Sequence, residues 1–286
     1  PFLNALAHFV AWFMFVIYML PIVLIVIYSF CDYNTIMNGD ITASSFTLEN
    51  YGKLFTSADA IKPYVVSIVY SLSAAALAAV ISIICVRFVQ KSKNKLNKLF
   101  EYGALIPWLL PSTLIALGLT MAYGDRNPLI FNKVLVGTTV ILLIGYVVIK
   151  LPFSYRMIRS AFFSVDEDLE DAAKCMGAST FYTMRKVIIP VILPAVLSVV
   201  ILNFNGLLAD YDLTAFLYHP LFQPLGIVVK AASDENASID AKCMSFVYTV
   251  VLMILSSVAL YFGQGNGMQA IRRWKQRRIE KKVYRK

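Results

Sequence analysis

Few side chains in this 286-residue sequence are of a type that does chemistry, and they are scattered. His8 and His219 are the two histidines, and no HExxH run, glycine-rich phosphate loop or Cys–His cluster accompanies them. Cys31, Cys85, Cys175 and Cys243 have neither metal-ligand nor redox spacing. Packed thiols are the expectation, with a Cys31–Cys243 pairing left open by the topology below. Oxygen donors gather at Asp210, Tyr211 and Asp212, a set that suits a hard cation in passing and equally a solvated helix end. This inventory argues against an enzyme, and it contains no nucleotide site.

The elements that carry these residues are apolar. The chain is 59% hydrophobic and 15% charged, against about 25% charged in a soluble domain. So large an apolar excess calls for a membrane as solvent. Crossing about 30 Å of hydrocarbon takes roughly 20 residues at about 1.5 Å each. Six stretches fit: Phe9–Phe30, Tyr64–Val86, Ala104–Tyr123, Val134–Ile149, Ile188–Leu208 and Cys243–Gly263. The fourth is short and stops before Lys150, whose stem is expected to snorkel to the interface. The fold class is therefore an all-α membrane protein with six transmembrane helices, a single domain over residues 1–286.

So delimited, no span has a charged residue in its interior, which argues against an ion-coupled carrier. Prolines punctuate the spans instead: Pro21 in the first, Pro107 and Pro111 in the third, Pro190 and Pro194 at the head of the fifth. Each marks either an ordinary kink or a moving part. Asn203 and Asn205, late in the fifth span, either line a path or bond helix to helix.

Lys and Arg set the orientation. Residues 87–98 carry five, 150–186 carry six and the tail from Arg272 carries nine, against six on the opposite side. The positive-inside rule puts the 87–98 loop, the loop of about 156–187 and the basic tail of about 266–286 in the cytoplasm. A basic tail directly after a span reads as a topology anchor near anionic lipid, so no nucleic-acid partner is expected. No basic region precedes the first span, so a secretory signal is not expected, and Pro1 suggests either a removed N-terminus or a portion of something longer.

One polar stretch interrupts this apolar chain, EDLEDAAKCMGASTFYTMRKVIIP at 167–190. Leu169, Ala172, Ala173 and Met176 stand at i, i+3, i+4 and i+7, one apolar stripe of a short helix. Asp166, Glu167, Asp168, Glu170 and Asp171 crowd its first turns, where carboxylates complement the helix dipole. Gly177 stands where a helix ends left-handed, and Ser179 offers an N-cap to a second helix running toward Pro190. An alanine-rich stripe either lets another backbone approach closely or packs flat against the membrane surface.

This stretch resembles the cytoplasmic signature loop of the permease subunits of ATP-binding-cassette importers: E-A-A, three residues, G, nine residues, I-x-L-P. The chain reads Asp171-Ala172-Ala173, then Gly177, then after nine residues Val187-Ile188-Ile189-Pro190, with three mild replacements and the spacing kept. FTLENYGKLF (46–55) looks like the outer amphipathic segment of these permeases, and LIPWLLPSTLIALGL (105–119) like their third span. The resemblance implies a coupling helix centred on Asp171–Gly177, with Leu169 and Met176 on its face, seated in a partner ATPase. It implies as partners two ATP-binding-cassette ATPase subunits, a second permease half or subunit, an extracellular solute-binding protein and the lipid bilayer. ATP and Mg would be bound by the partner ATPase, this chain holding no cofactor. It also implies a multi-pass protein of the bacterial cytoplasmic membrane.

For the solute, ADYDLTAFLYHPLFQPLGIVVK (209–230) looks most like the ferric-iron group, whose permeases are often double-length. The expected substrate path comprises Asn203, Asn205, Asp210, Tyr211 and Asp212. Polyamine, phosphonate and sulfate permeases share the architecture. An ion-coupled six-span carrier and a structural scaffold are the rivals of other classes, separated by ATP-dependent transport.

Overall fold

Long apolar runs broken by prolines and polar clusters give a chain of helices in the computed structural model, which describes residues 2–38, 42, 45–91, 96–126 and 128–263. The helices are α1 (Phe2–Ser29), α2 (Tyr33–Asn38), α3 (Glu49–Thr56), α4 (Ala58–Lys91), α5 (Leu96–Leu105), α6 (Ser112–Tyr123) and α7 (Thr139–Phe163). After them come α8 (Glu167–Cys175), α9 (Thr180–Thr183), α10 (Ile189–Leu208), α11 (Thr214–Leu217), α12 (Leu225–Ala232) and α13 (Ile239–Gly263). Among the described residues the β pairings are two isolated bridges, Cys31–Phe46 and His219–Phe222. The all-α membrane class holds: five helices are long and apolar enough to cross a membrane, six if one bent pair counts as a span.

The spans differ from their sequence outlines in instructive ways. The second runs the full 34 residues of α4, with Pro63 inside its first turns. The third is broken: Glu101–Leu109 and Ser112–Tyr123 meet at 110°. Pro111 supplies no N–H and holds Leu110 extended (φ −106°, ψ 137°), so the helix stops there and restarts with Pro111 as its cap. The fourth is not the short Val134–Ile149 segment ending before a snorkelling Lys150. Helix α7 covers 25 residues and passes straight through Lys150 and Pro152. An interior charge therefore exists in this span, and the argument from uncharged spans does not hold at Lys150.

The fifth span begins earlier than Ile188. Thr180–Leu208 is continuous, with a π-helical turn at Met184–Ile188. Pro190 lacks an N–H and would clash with the carbonyl one turn back; the widened turn, closed by Ile189 N–H to the Met184 carbonyl, relieves that clash.

The chain forms two compact units. In the unit of residues 1–63 and 227–255, α1 presents apolar side chains outward along its length, as a lipid-facing helix does. Helix α3 is amphipathic, burying Asn50 and Leu54. Asn50 donates to the Cys31 carbonyl at 3.0 Å, and Lys53 reaches Asp240 on α13 at 3.0 Å. Cys31 and Cys243 are both buried free thiols. The unit of residues 64–226 and 256–286 is centred on α7 and α10, with one core around Tyr155, Ile158 and Ile192 and another around Tyr146, Leu142 and Leu207. The basic tail lies outside the described residues.

Candidate coupling segment and solute path

The polar insert folds as its residue pattern dictates. Asp166 caps α8, its side chain accepting from Asp168 N–H at 3.1 Å. At the other end Gly177 takes φ +78°. Its N–H bonds the Lys174 carbonyl at 2.9 Å, and Ala178 N–H bonds the Ala173 carbonyl at 3.0 Å. This pair of bonds is a Schellman closure, available to a residue that tolerates positive φ. No side chain or backbone stands within 4 Å of a Cβ built on Gly177, so within this chain the turn, and not a close approach, demands glycine. Ser179 then caps the next helix, accepting from Tyr182 N–H at 3.3 Å.

The apolar stripe divides. Ala173 is 3% exposed and packs inward, whereas Leu169 is 43% and Met176 81% exposed. Ala172 and Asp171 are exposed beside them. Across the turn Phe181 is 75% and Tyr182 56% exposed. A short capped helix and the turn after it thus offer an uncovered apolar face. Pro190, the motif's last residue, sits 15 positions beyond Cys175, the end of α8, at the head of α10.

On its opposite side α8 is tied to the span helices. Arg87, near the end of α4, forms a two-pronged pair with Glu170, Nη2 to Oε1 at 2.6 Å and Nη1 to Oε2 at 3.0 Å. The Arg87 bond holds the Glu170 carboxyl below its ordinary pKa. This strut crosses a cavity of about 620 Å³ between the ends of α4, α7 and α8, which Lys91, Arg159, Asp166 and Lys174 also line. Arg159 pairs with Glu101 on α5, and the Arg156 guanidinium lies 5.1 Å from the Trp108 ring centre. The ends of α4 and α7 therefore grip both the insert and the broken helix.

The five expected path residues do not form one group. Asn203 is buried and donates to Ser154 Oγ on α7 at 2.7 Å, the helix-to-helix role. Asn205 faces the other way, toward the Ser256 carbonyl at 3.4 Å, and its buried Oδ1 has no hydrogen-bond partner. Asp210 lies just past α10 and accepts from Thr214 N–H at 3.2 Å and Thr214 Oγ1 at 2.8 Å. Burial pushes its carboxyl up, while the Thr214 bonds and the Lys150 charge pull the other way. Tyr211 and Asp212 are exposed. Among the described residues no three His, Cys, Asp or Glu side chains converge as a metal site.

A residue that sequence reasoning missed stands between them. Along one face of α7, Tyr146, Lys150 and Ser154 follow at i, i+4 and i+8. Tyr146 meets Thr214 at 2.5 Å, Ser154 meets Asn203, and the Lys150 Nζ lies 2.9 Å from where a Cβ on Gly206 would be. The signal was present: apolar spacing continues through Leu151, Phe153, Tyr155 and Ile158, and the polar stop comes only at Ser164–Asp166. Lys150 and Pro152 concealed it by resembling a helix end.

A capped surface helix stands between two candidate spans of an all-α membrane unit. Residues 78–266, more than half of the chain, match the family described as binding-protein-dependent transport system inner membrane component, and the chain belongs to that family. It is 35% identical over 261 residues to the probable ABC transporter permease protein y4fN of Sinorhizobium fredii, covering 91% of this chain and 45% of that protein. It is 24% identical over 174 residues to the putative 2-aminoethylphosphonate transport system permease protein PhnV of Salmonella choleraesuis, covering 59% of this chain and 64% of that one. The chain thus spans less than two thirds of the length of either relative. Its fold is that of a chain in a bacterial ABC transporter involved in import of the acidic polysaccharide alginate, at a TM-score of 0.69 and 14% identity over 89% of this chain and 92% of that one. The case against an ion-coupled carrier now rests on this membership.

Proposed function

We propose that this chain is a permease half of an ATP-driven importer, and that α8 with its glycine turn is the coupling helix. The observation that carries the reading is the uncovered face of Leu169, Ala172 and Met176 beside a Schellman turn, on a helix braced to the spans by Arg87–Glu170. In this reading the face seats in a partner ATP-binding-cassette subunit, which binds ATP and Mg. A second permease half completes the pathway, and an extracellular binding protein delivers solute. The chain lies in the bacterial cytoplasmic membrane with the coupling segment and C-terminus on the cytoplasmic side, in keeping with the distribution of Lys and Arg. Rigid-body rocking of paired permease halves, driven by ATPase closure, moves the solute.

For the solute we take an oxyanion. The similarity to a putative 2-aminoethylphosphonate permease supports it, as does a cation midway along α7. Ferric iron is the second reading. Coverage of 45% of y4fN favours it, since ferric permeases are often double-length, whereas among the described residues no three His, Cys, Asp or Glu side chains converge to hold a cation. Uptake of labelled 2-aminoethylphosphonate, sulfate and ferric iron by cells with and without the intact gene tests the assignment. Loss of an anion alone is expected, loss of iron alone selects the second reading, and loss of none removes both solute assignments.

A further inference from the structure

We propose that Lys150 is the anion-recognising group of the solute path, binding the oxyanion of a phosphonate- or sulfate-class solute at a notch made by Gly206. The inference rests on the importer reading and goes beyond it in naming the recognising side chain.

Position comes first. Lys150 is the twelfth of the 25 residues of α7, so roughly 17 Å of helix separates it from the nearer end at about 1.5 Å per residue. A lysine stem does not bridge that distance to either interface. An ammonium held at this depth faces the bundle interior or water, because lipid offers it no partner.

Surroundings come second. The Nζ rests over Gly206, 2.9 Å from where a Cβ at that position would stand. Gly206 itself is open to the outside of the protein, so the ammonium sits at the edge of the α7–α10 seam and not sealed within it. Several polar groups of the seam satisfy one another: Tyr146 with Thr214, Thr214 with Asp210, Asn203 with Ser154, and Ser154 with the Lys150 carbonyl at 2.9 Å, whereas Tyr155 OH and Asn205 Oδ1 are buried without a partner. Among the described residues no hydrogen bond or ion pair occupies the Lys150 Nζ, and the Asp210 carboxylate is the charge that acts on it. Asp210, one turn beyond Gly206, spends its Oδ2 on two Thr214 donors. The seam therefore carries an ammonium whose three protons are taken by no group among the described residues, beside the exposed Gly206 and in the field of Asp210. A point charge of this kind suits a tetrahedral oxyanion, which accepts from any direction.

The test uses the whole transporter in its own membranes. Uptake of labelled 2-aminoethylphosphonate, sulfate and ferric iron is compared for the wild type, Lys150→Met and Lys150→Arg, at equal protein level in the membrane. In parallel, Lys150→Cys on a background with the four native cysteines replaced is treated with a membrane-impermeant methanethiosulfonate. We expect ATP-dependent uptake of one of the anions, a fall of about tenfold or more with Met, and retention of most activity with Arg, as loss of a charge-assisted hydrogen bond requires. The cysteine is expected to react. Unchanged anion uptake with Met, uptake of iron and neither anion by the wild type, or an unreactive cysteine each overturns the inference. Reaction of the cysteine with no ATP-dependent uptake of any tracer by the wild type removes the importer reading instead, and leaves the water-facing Lys150.

Discussion

Gly177 shows how one residue sets the shape of the coupling segment. Its φ of +78° lies where a Cβ is strained, and its two closing bonds end α8 and aim Ser179 at the next helix. Open space around it means that shape, not bulk, is what a substitution offends within this chain. Gly177→Val is therefore expected to abolish solute uptake with the protein still in the membrane, while Gly177→Asn, which tolerates the left-handed region, retains a large share. Uptake at matched membrane levels checks both, and full activity in the valine variant would remove the coupling role. The turn was legible in the sequence because the requirement is local. Lys150 was concealed, since a lysine two residues before a proline reads as a helix end although the apolar spacing continues beyond it.

At the scale of elements, the Arg87–Glu170 strut joins α4 to α8 over a distance of 83 residues in sequence. With both side chains mostly buried, the pair is a charge-assisted bond of the stronger sort. Arg87→Ala is expected to lower amide-exchange protection across α8 by roughly tenfold, corresponding to about 1.4 kcal/mol, and to reduce uptake with it. Exchange measured by mass spectrometry on the solubilised protein decides this, and unchanged protection would mean that α8 is held by packing alone. The pair also fixes a pH dependence. Glu170 has a depressed pKa in the folded chain, so its contribution is complete above the unfolded value of about 4.3 and is lost as pH falls through the folded one. Glu170→Gln should therefore melt lower than wild type at pH 7, with the gap closing in acid below the ordinary glutamate range. A gap that persists there would assign the difference to something other than ionisation. Sequence patterning showed the acidic first turns of α8 but gave no partner for them, because partners 83 residues apart carry no periodic signal.

At the scale of the whole molecule, the chain covers 45% of y4fN, a proportion that fits one six-span half of a double-length permease. Expressed without a second permease half, this chain is expected to reach the membrane and to give no uptake; supplying that half together with the ATPase should restore it. Uptake by the chain with the ATPase alone would show instead that two copies suffice. In the proposed importer, force entering at α8 would pass through Arg87 to the end of α4, the contact that joins the insert to the spans.

The sequence by itself determined that the chain is helical and membrane-bound, where the capped insert begins and turns, and which family's signature it bears. Those properties depend on hydropathy, on spacing within one or two turns, and on the φ that a single residue type allows. Tertiary structure alone decided that Arg87 meets Glu170, that the Lys150 Nζ stands over Gly206, and that Asn203 and Asn205 point to different neighbours. Each of these outcomes is set by contacts between residues distant in sequence, for which local spacing carries no signal.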